Sequence, residues 1–538
     1  MNKIVKEILN SRGLISDEDI SEFLSPKPTK TYDPFLLHNM KEGVDIIMDT
    51  VKNDGSICIY GDYDADGITS ICIMKTILEQ LTDKVSYYIP SRFEEGYGLN
   101  KEAIAKIKEQ GADLMLTVDC GSVSCDEVEY AKEIGLKVVV TDHHTIDGTQ
   151  ADCVMINPKK PECKYPFKGL AGCGVAYKVA QALQRTAGLP KQVITRLLDI
   201  AAVGTIGDIV PLQDENRTIV KYGLRELNSG NRLSLKMFAE GISLHPGSIG
   251  SDEVAFGIVP HLNAAGRMDR ADIGVKLLMS DDRNEIMLLT EVLKGYNNKR
   301  KEVQQETYEM CLELLKEQCP DSLFPVIKAE KAHEGITGIV AGKIKDREGK
   351  PVIITTPSGD MLKGTGRSTD TVDIYGLLKN HEELFVRFGG HKAACGFLME
   401  EKNLEKLRKG LDEDMKLMDG SLRTSGPAAE MSIHGSDVTL DLAEELETLS
   451  PFGNANPRPL FRFENMTPDK VSLMGNSGIH MRFEALSGQG NINCVLFGRA
   501  QDYIHALESG KKVDVFGELS INEWNGNRKT QVLVRELT

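Results

Sequence analysis

The sequence of 538 residues has no run of about 18 apolar residues, the minimum for a membrane-spanning helix. Its start, MNKIVKEILNSRG, carries charges where a signal peptide needs an apolar stretch, so the protein is expected to stay in the cytoplasm. Cysteines number 11, odd and scattered, with no CxxC pair, which excludes a disulfide scaffold and suits a reducing compartment. Cys153, Cys163 and Cys173 are evenly spaced, but structural zinc usually takes its ligands in close pairs, so no zinc site is expected there. A P-loop is also missing: GIVAGKI has the wrong spacing and places Ile344 where Ser or Thr is needed, so ATP-driven translocation is not expected. Basic residues are the minority, 64 against 80 acidic for a net charge of -16. That balance argues against a chain coated in nucleic acid but leaves room for a local basic groove.

What is present is an ordinary globular composition, 41% hydrophobic and 27% charged, long enough for roughly three or four domains. The first 50 residues show two helical patterns and a Pro-rich break, SPKPTKTYDP. Beyond them the short apolar runs SICIY, DLMLTV, LKVVVT and CVMIN alternate with amphipathic segments. In one of these, Gly67 to Leu81, the residues Ile68, Ile71, Met74, Leu78 and Leu81 recur at helical spacing. Strands alternating with helices imply a parallel α/β sheet. Residues 281–318 read as one long helix with a stripe of Ile286, Leu289, Leu293, Tyr296, Val303, Met310 and Leu314. A second α/β unit follows, with strands at FPVIKA and PVIITT and Gly-rich turns expected at GTGRS and FGGH. After a linker, SLRTSGPA, the tail from residue 451 is nearly neutral, with 10 basic and 9 acidic residues, and its alternating strands suit a small barrel of the oligonucleotide-binding type.

Carboxylates mark the ends of the first strands. IYGDYDADG places Asp62, Asp64 and Asp66 after a strand and before a helix; LMLTVDCG delivers Asp119, and KVVVTDHH delivers Asp142, His143 and His144. In a parallel sheet the carboxyl ends of the strands share one edge, where ligands bind, so these groups should converge. Convergence without a counter-charge is costly, since two unit charges 4 Å apart repel by about 4 kcal/mol at an effective dielectric of 20. Divalent cations remove that cost, and oxygen ligands with one or two imidazoles suit Mn2+ or Mg2+. A pair of such ions is the usual device for hydrolysing phosphate esters. An EF-hand reading of DYDADG fails because the twelfth position is Ile73. A lone Asp at a strand end is more often a helix cap than a ligand, but three clusters in register are hard to explain as caps. A fourth element, AAVGTIGDIVPL, adds Asp208.

The segments GDYDADG, VDCG, TDHH and GTIGDIVPL, in that order, resemble the four motifs of the DHH phosphoesterase family. The continuation through HLNAAGRM, HEGITGIVAGKI, GTGRS, RFGGHKAACG and SPFGNANPRPLF is similar to the branch of that family that degrades single-stranded DNA. The resemblance implies an α/β fold of two lobes, DHH and DHHA1-type, joined by a long helix and followed by an OB-type β-barrel. The expected domains are an accessory segment at 1–50, a catalytic domain at 51–280, a connecting helix at 281–318, a substrate-binding domain at 319–420 and a nucleic-acid-binding barrel at 425–538. It also implies two ions, Mn2+ or Mg2+, held by Asp62, Asp64, Asp66, Asp119, His143 and Asp208, with Asp119 as the natural bridge. Asp142 and His144 are the expected catalytic pair, Asp142 orienting and His144 facing the scissile phosphate.

The resemblance also implies that Arg92, Arg267 and Arg367, with Thr365 and Ser368, grip a 5′-terminal phosphate, each being more ordinary as a surface residue when taken alone. Gly390 and His391 belong to the second-lobe signature and are expected to contact substrate phosphates. Two positions depart from the family pattern: Thr365 replaces a Ser and keeps its hydroxyl, and Ala332 stands where an aromatic is common. In the barrel, Phe461, Phe463, Phe483 and Phe497 are interleaved with basic residues, and Trp524 is the expected exposed base platform. The implied activity is 5′-to-3′ removal of mononucleotides from single-stranded DNA in repair and recombination, by a monomer that works with a single-strand-binding protein and a helicase. Relatives that cut short RNA, cyclic dinucleotides or phosphate chains are the alternative among enzymes, and the barrel weighs against them. A non-catalytic replication scaffold would require lost metal ligands, and none is lost.

Overall fold

The computed structural model describes the chain from Met1 to Thr538 except residues 93, 94, 97, 147, 419–427, 476, 477 and 525, and the side chain of Trp524. Most of the expected linker SLRTSGPA therefore lies outside the described residues. The chain forms two compact units: Met1–Tyr88 with Gly98–Val259 and Ser425–Thr538, and Ile89–Tyr97 with Pro260–Thr424.

In the first unit β1 (Ile57–Gly61), β2 (Val85–Tyr88), β3 (Leu114–Val118), β4 (Lys137–Thr141) and β5 (Val154–Ile156) build an all-parallel sheet in the order β2-β1-β3-β4-β5. Every residue of β1 and β3 is buried, as continuous apolar runs covered on both faces require. Cys58, Tyr60, Met115 and Val140 pack against helices Lys101–Glu109 and Cys125–Glu133. The helix Ala65–Leu78 packs against Gly172–Ala187 and Leu198–Gly207, all three strongly buried. The edge strand VSYY of β2, only half-buried, carries no continuous apolar run and is invisible to that criterion.

The same unit holds a closed barrel of β12 (Leu460–Met474), β13 (His480–Ser487), β14 (Gly490–Leu496), β15 (Val513–Trp524) and β16 (Asn527–Leu537), with the short β11 (Met431–Ser432) beside β12. Closure comes from pairing of β12 with β15. Its core takes in Val5, Ile8, Leu9 and Ile20 from helices Lys3–Ser11 and Asp17–Leu24. The helix Met40–Lys52 instead packs on β5. The first 50 residues thus divide between barrel and sheet.

The second unit is a five-stranded mixed sheet, β6 (Val326–Lys328), β7 (Val352–Ser358), β8 (Met361–Arg367), β9 (Phe385–His391) and β10 (Ala394–Glu400), ordered β6-β7-β8-β10-β9. The Gly-rich segments expected as turns are strands: GTGR ends β8 and FGGH ends β9. Their glycines permit close packing, since a Cβ on Gly364 would meet the Phe397 ring at 2.1 Å and one on Gly366 would meet Cys395 Sγ at 2.6 Å. The long helix runs Arg283–Gln318, 36 residues and about 54 Å. Its buried line is Ile286, Thr290, Leu293, Asn297, Thr307, Cys311 and Leu315. Met310 and Leu314, assigned to the stripe from the sequence, are only half-buried, because the polar Thr307 and Asn297 hide the true line.

Candidate metal centre and phosphate site

At the carboxyl edge of the parallel sheet, each strand end delivers its acid by a different local device. Asp64 caps the helix Ala65–Leu78, its Oδ1 accepting from the amides of Asp66 (2.9 Å) and Gly67 (3.1 Å). Gly67 is required there: a Cβ would lie 2.3 Å from Asp62 O. Asp66, in the first helical turn, accepts from the amides of Gly172 (2.7 Å) and Cys173 (2.8 Å), so the start of Gly172–Ala187 faces its carboxylate. Asp119 follows β3 in the left-handed region at φ 61°, uncommon outside glycine, with its amide bonded to Thr141 O. Gly172 leaves it room, since a Cβ would stand 2.5 Å from Asp119 Oδ1. Asp208 follows the helix Leu198–Gly207 as its C-cap.

These groups do meet. His143 Nε2 stands 3.1 Å from Asp119 Oδ1, 3.5 Å from Asp208 Oδ2 and 3.8 Å from Asp66 Oδ2. Ligand atoms of Asp66, His143 and Asp208, of Asp62, Asp64 and Asp119, and of Asp119, His143 and His144 form groups within 4.8 Å. Despite that crowding, Asp119 Oδ1, His143 Nε2 and Asp208 Oδ2 are buried without a hydrogen-bond partner. Burial first, and then the charges of Asp66, Asp64, Asp62 and Asp208, push the Asp119 carboxyl well above its usual range. Burial followed by Asp66 and Asp64 raises Asp208, and burial followed by Asp64 raises Asp66. Burial and neighbouring His144 push His143 down to about 3, so it is a neutral imidazole. A buried carboxylate cluster, a neutral imidazole and orphaned polar atoms fit a hard divalent cation.

Asp142 and His144 form a separate pair. His144 Nδ1 lies 2.8 Å from Asp142 Oδ1, and Asp142 also accepts from the amides of His143, His144 and Ser122. Burial alone would lower His144, but the hydrogen bond and charge of Asp142, with Asp208 and Asp62, hold it up at about 9. Burial would raise Asp142, and the bonds and charges of His144, His143 and Ser122 pull it well below the carboxylate range instead. Sequence reasoning missed Asn157, whose Nδ2 ties Ser122 Oγ (2.9 Å) to His144 O (2.9 Å). It also missed the amides of Gly172 and Cys173, signalled only by the small residues of LAGCG.

In the second unit, Arg367 packs at the start of the helix Glu334–Glu348. A Cβ on Gly338 would stand 2.9 Å from Arg367 Nη2, and Thr337 Oγ1 lies 3.3 Å from Thr365 Oγ1. His333 caps that helix by accepting from the Gly335 amide, and Arg267 donates to Gly335 O at 2.9 Å. Burial chiefly, and then the nearby charge of Arg92, lowers Arg367. Arg267 on Gly335 O and Arg367 beside Gly338 set two guanidinium groups against the first turns of this helix, an arrangement that fits an anion. The register places His391 opposite Ala394 and Ala394 opposite Arg367, so GGH and GTGR lie level on the same sheet with β10 between them. Gly390 is packed tightly, a Cβ there meeting Ala394 O at 2.3 Å, and His391 is exposed. Ser368 is buried and donates to Val372 O, a local structural bond.

In the barrel, Phe461, Phe463 and Phe483 are core, while Phe497 is 57% exposed, edge-on to His480. The side chain of Trp524 lies outside the described residues. Arg458, Arg462, Arg499 and Arg528 are all paired with acids, which weakens the case for an open basic groove.

Comparison with known proteins agrees with this layout. Residues 56–205 match the DHH family N-terminal domain, 323–417 the DHHA1 domain and 429–536 the RecJ OB domain. The single-stranded-DNA-specific exonuclease RecJ of Bacillus subtilis is 37% identical over 99% of this chain and 67% of its own length. That of Salmonella typhimurium is 33% identical over 99% and 95%. The solved RecJ of Thermus thermophilus in complex with Mn2+ covers 100% of this chain and 78% of its own at 28% identity and a TM-score of 0.81; in complex with Mg2+ it covers 100% and 77% at 27% and 0.74.

Proposed function

This chain belongs to the RecJ family of single-stranded-DNA-specific exonucleases, and from that premise we propose that it shortens single strands from the 5′ end, releasing mononucleotides. The observation that carries the chemistry is the meeting of Asp119 Oδ1, His143 Nε2 and Asp208 Oδ2, buried and without hydrogen-bond partners. Asp62, Asp64, Asp66, Asp119, His143 and Asp208 would hold two Mn2+ or Mg2+ ions. When bound, the ions supply Lewis acidity that stabilises charge on the attacking and leaving oxygens of an in-line displacement.

The chain's own residues do the rest. The amides of Gly172 and Cys173 fix Asp66, and the caps at Asp64 fix the first turn, so the carboxylates are oriented before substrate arrives. Asp142 keeps His144 protonated at neutral pH, a positive charge for a phosphate oxygen of the scissile group. Arg367, Arg92 and Arg267, with the amides opening the helix Glu334–Glu348, would take the 5′-terminal phosphate, with Thr365 beside them and Gly390 and His391 on the same sheet. Ser368 shapes the turn that follows Arg367. The barrel adds strand grip through Phe497, and Trp524 remains the second candidate platform.

The same premise supports action in the cytoplasm, as a monomer in repair and recombination, beside a single-strand-binding protein and a helicase. No helix among the described residues is long and apolar enough to cross a membrane. The test is a 5′-phosphorylated single strand labelled at either end, with its duplex as control and Mn2+ present. Mononucleotides released from the 5′ end of the single strand alone are expected. Release from the 3′ end, or equal attack on RNA dinucleotides and long DNA, would overturn the reading.

A further inference from the structure

The segment Ser450–Phe461, SPFGNANPRPLF, joins the helix Leu440–Glu447 to the barrel and lies in the same unit as the carboxylate cluster. Arg217, 7% exposed, anchors its start by donating to Leu449 O (3.0 Å) and Ser450 O (2.9 Å). Asn456 Nδ2 closes the turn onto Leu449 O and Pro451 O. The tip of this hydrogen-bonded loop meets the chain immediately after Asp208. Asn454 Nδ2 donates to Ile209 O at 2.7 Å, the Leu212 amide donates to Asn454 O at 2.8 Å, and Gln213 Nε2 donates to Ala455 O at 3.2 Å.

Ile209 is held in an unusual state. Its φ is 56°, the left-handed region, where a β-branched residue is a steric outlier. It is 71% exposed, so burial does not hold it there. Its amide bonds Ile206 O within the helix end, and its carbonyl is the one Asn454 takes. Ile209 is thus held at both its amide and its carbonyl, and Asp208 Oδ2 before it faces His143 Nε2 at 3.5 Å.

We propose that Asn454, on the loop entering the barrel, is a positioning residue for Asp208: it locks Ile209 in its left-handed conformation and so aims the Asp208 carboxylate into the cluster. The segment that enters the barrel then helps to orient the metal site. The inference rests on the metal reading above, and the experiment separates the two.

Mn2+ affinity is measured by calorimetry on the full chain, alongside kcat and KM for a single strand, in wild type, Asn454→Ala, Gln213→Ala and the double variant Asn454→Ala/Ile209→Gly. Asn454→Ala is expected to bind Mn2+ about two- to tenfold more weakly, the effect of one lost hydrogen bond, with kcat lowered and KM for DNA unchanged. Gln213→Ala should match wild type. Ile209→Gly should return part of the Mn2+ affinity in the Asn454→Ala background, because glycine adopts positive φ at no steric cost; a merely structural loop would be loosened further by it. Unchanged Mn2+ affinity in Asn454→Ala, or a rise in KM alone, overturns the proposal. A wild-type chain that binds no Mn2+ overturns the metal reading, and this inference with it.

Discussion

Replacing Asp119 by Asn should stabilise the chelated protein while abolishing its response to Mn2+. Asp119 is 3% exposed among Asp62, Asp64, Asp66 and Asp208. Carboxylates with oxygens 4.8 Å apart, the limit of its group, repel by about 3 to 4 kcal/mol at an effective dielectric of 20. An amide removes that repulsion, and Asn tolerates the left-handed backbone at φ 61° as well as Asp does. The sign with pH follows from the raised carboxyls, Asp66 at about 7 and Asp208 at about 8. A folded pKa above the unfolded value, about 4 for Asp, gives stability that is full below pH 4 and lost as pH rises through 7 to 8. Chelated wild type should therefore lose stability from pH 4 to 8. The Asn variant should lose less, ending about 2 to 4 kcal/mol more stable than wild type at pH 8, several degrees in melting temperature. Thermal unfolding in EDTA and in Mn2+ reads both effects, and Mn2+ should raise the wild-type midpoint and leave the variant's unmoved. A chelated variant less stable than wild type at pH 8, or an equal Mn2+ shift in both, would refute the reasoning.

Asp142→Asn removes the partner that holds His144 near 9, an interaction whose stability is full below about pH 6.5 and lost through pH 9. The alkaline limb of the rate profile should move to lower pH and kcat should fall about 100-fold; an unmoved limb would exclude His144 as the protonated group. Arg367→Ala should cost about 1.5 to 3 kcal/mol of the preference for a 5′-phosphate over a 5′-hydroxyl, with Arg367→Lys restoring only part, measured by competition between the two ends. Phe497→Ala should weaken binding of a long strand by about 1 to 3 kcal/mol and leave a very short one unaffected; equal loss on both would mean that Phe497 acts on the active site.

The parts legible in the sequence are those with local signatures. The strands β1, β3 and β4 are continuous apolar runs ended by acids, and the sheet's parallel order brings Asp62, Asp119 and His143 to one edge. The barrel strands alternate apolar and polar residues, and a small closed barrel is what they form. What stayed hidden depends on distant partners or on glycine. β8 and β9 look like turns because Gly364, Gly366, Gly389 and Gly390 carry no strand signal, and only the neighbouring Phe397, Cys395 and Ala394 reveal why Gly364, Gly366 and Gly390 are needed. The buried line of the long helix passes through Thr290, Asn297 and Thr307, which a hydrophobic stripe omits. The bond from Asn454 to Ile209 spans 245 positions, and nothing in either segment announces the other.

The central claim is that hydrolysis runs on ions held by this carboxylate cluster. It is tested most directly by counting Mn2+ per chain by equilibrium dialysis and measuring single-strand hydrolysis in the same samples, for wild type and Asp119→Asn. The account predicts about two ions per wild-type chain, no hydrolysis after EDTA, full recovery when Mn2+ is restored, and neither occupancy nor activity in the variant. Hydrolysis at an undiminished rate by the metal-stripped chain, or by the Asp119→Asn variant, would contradict it.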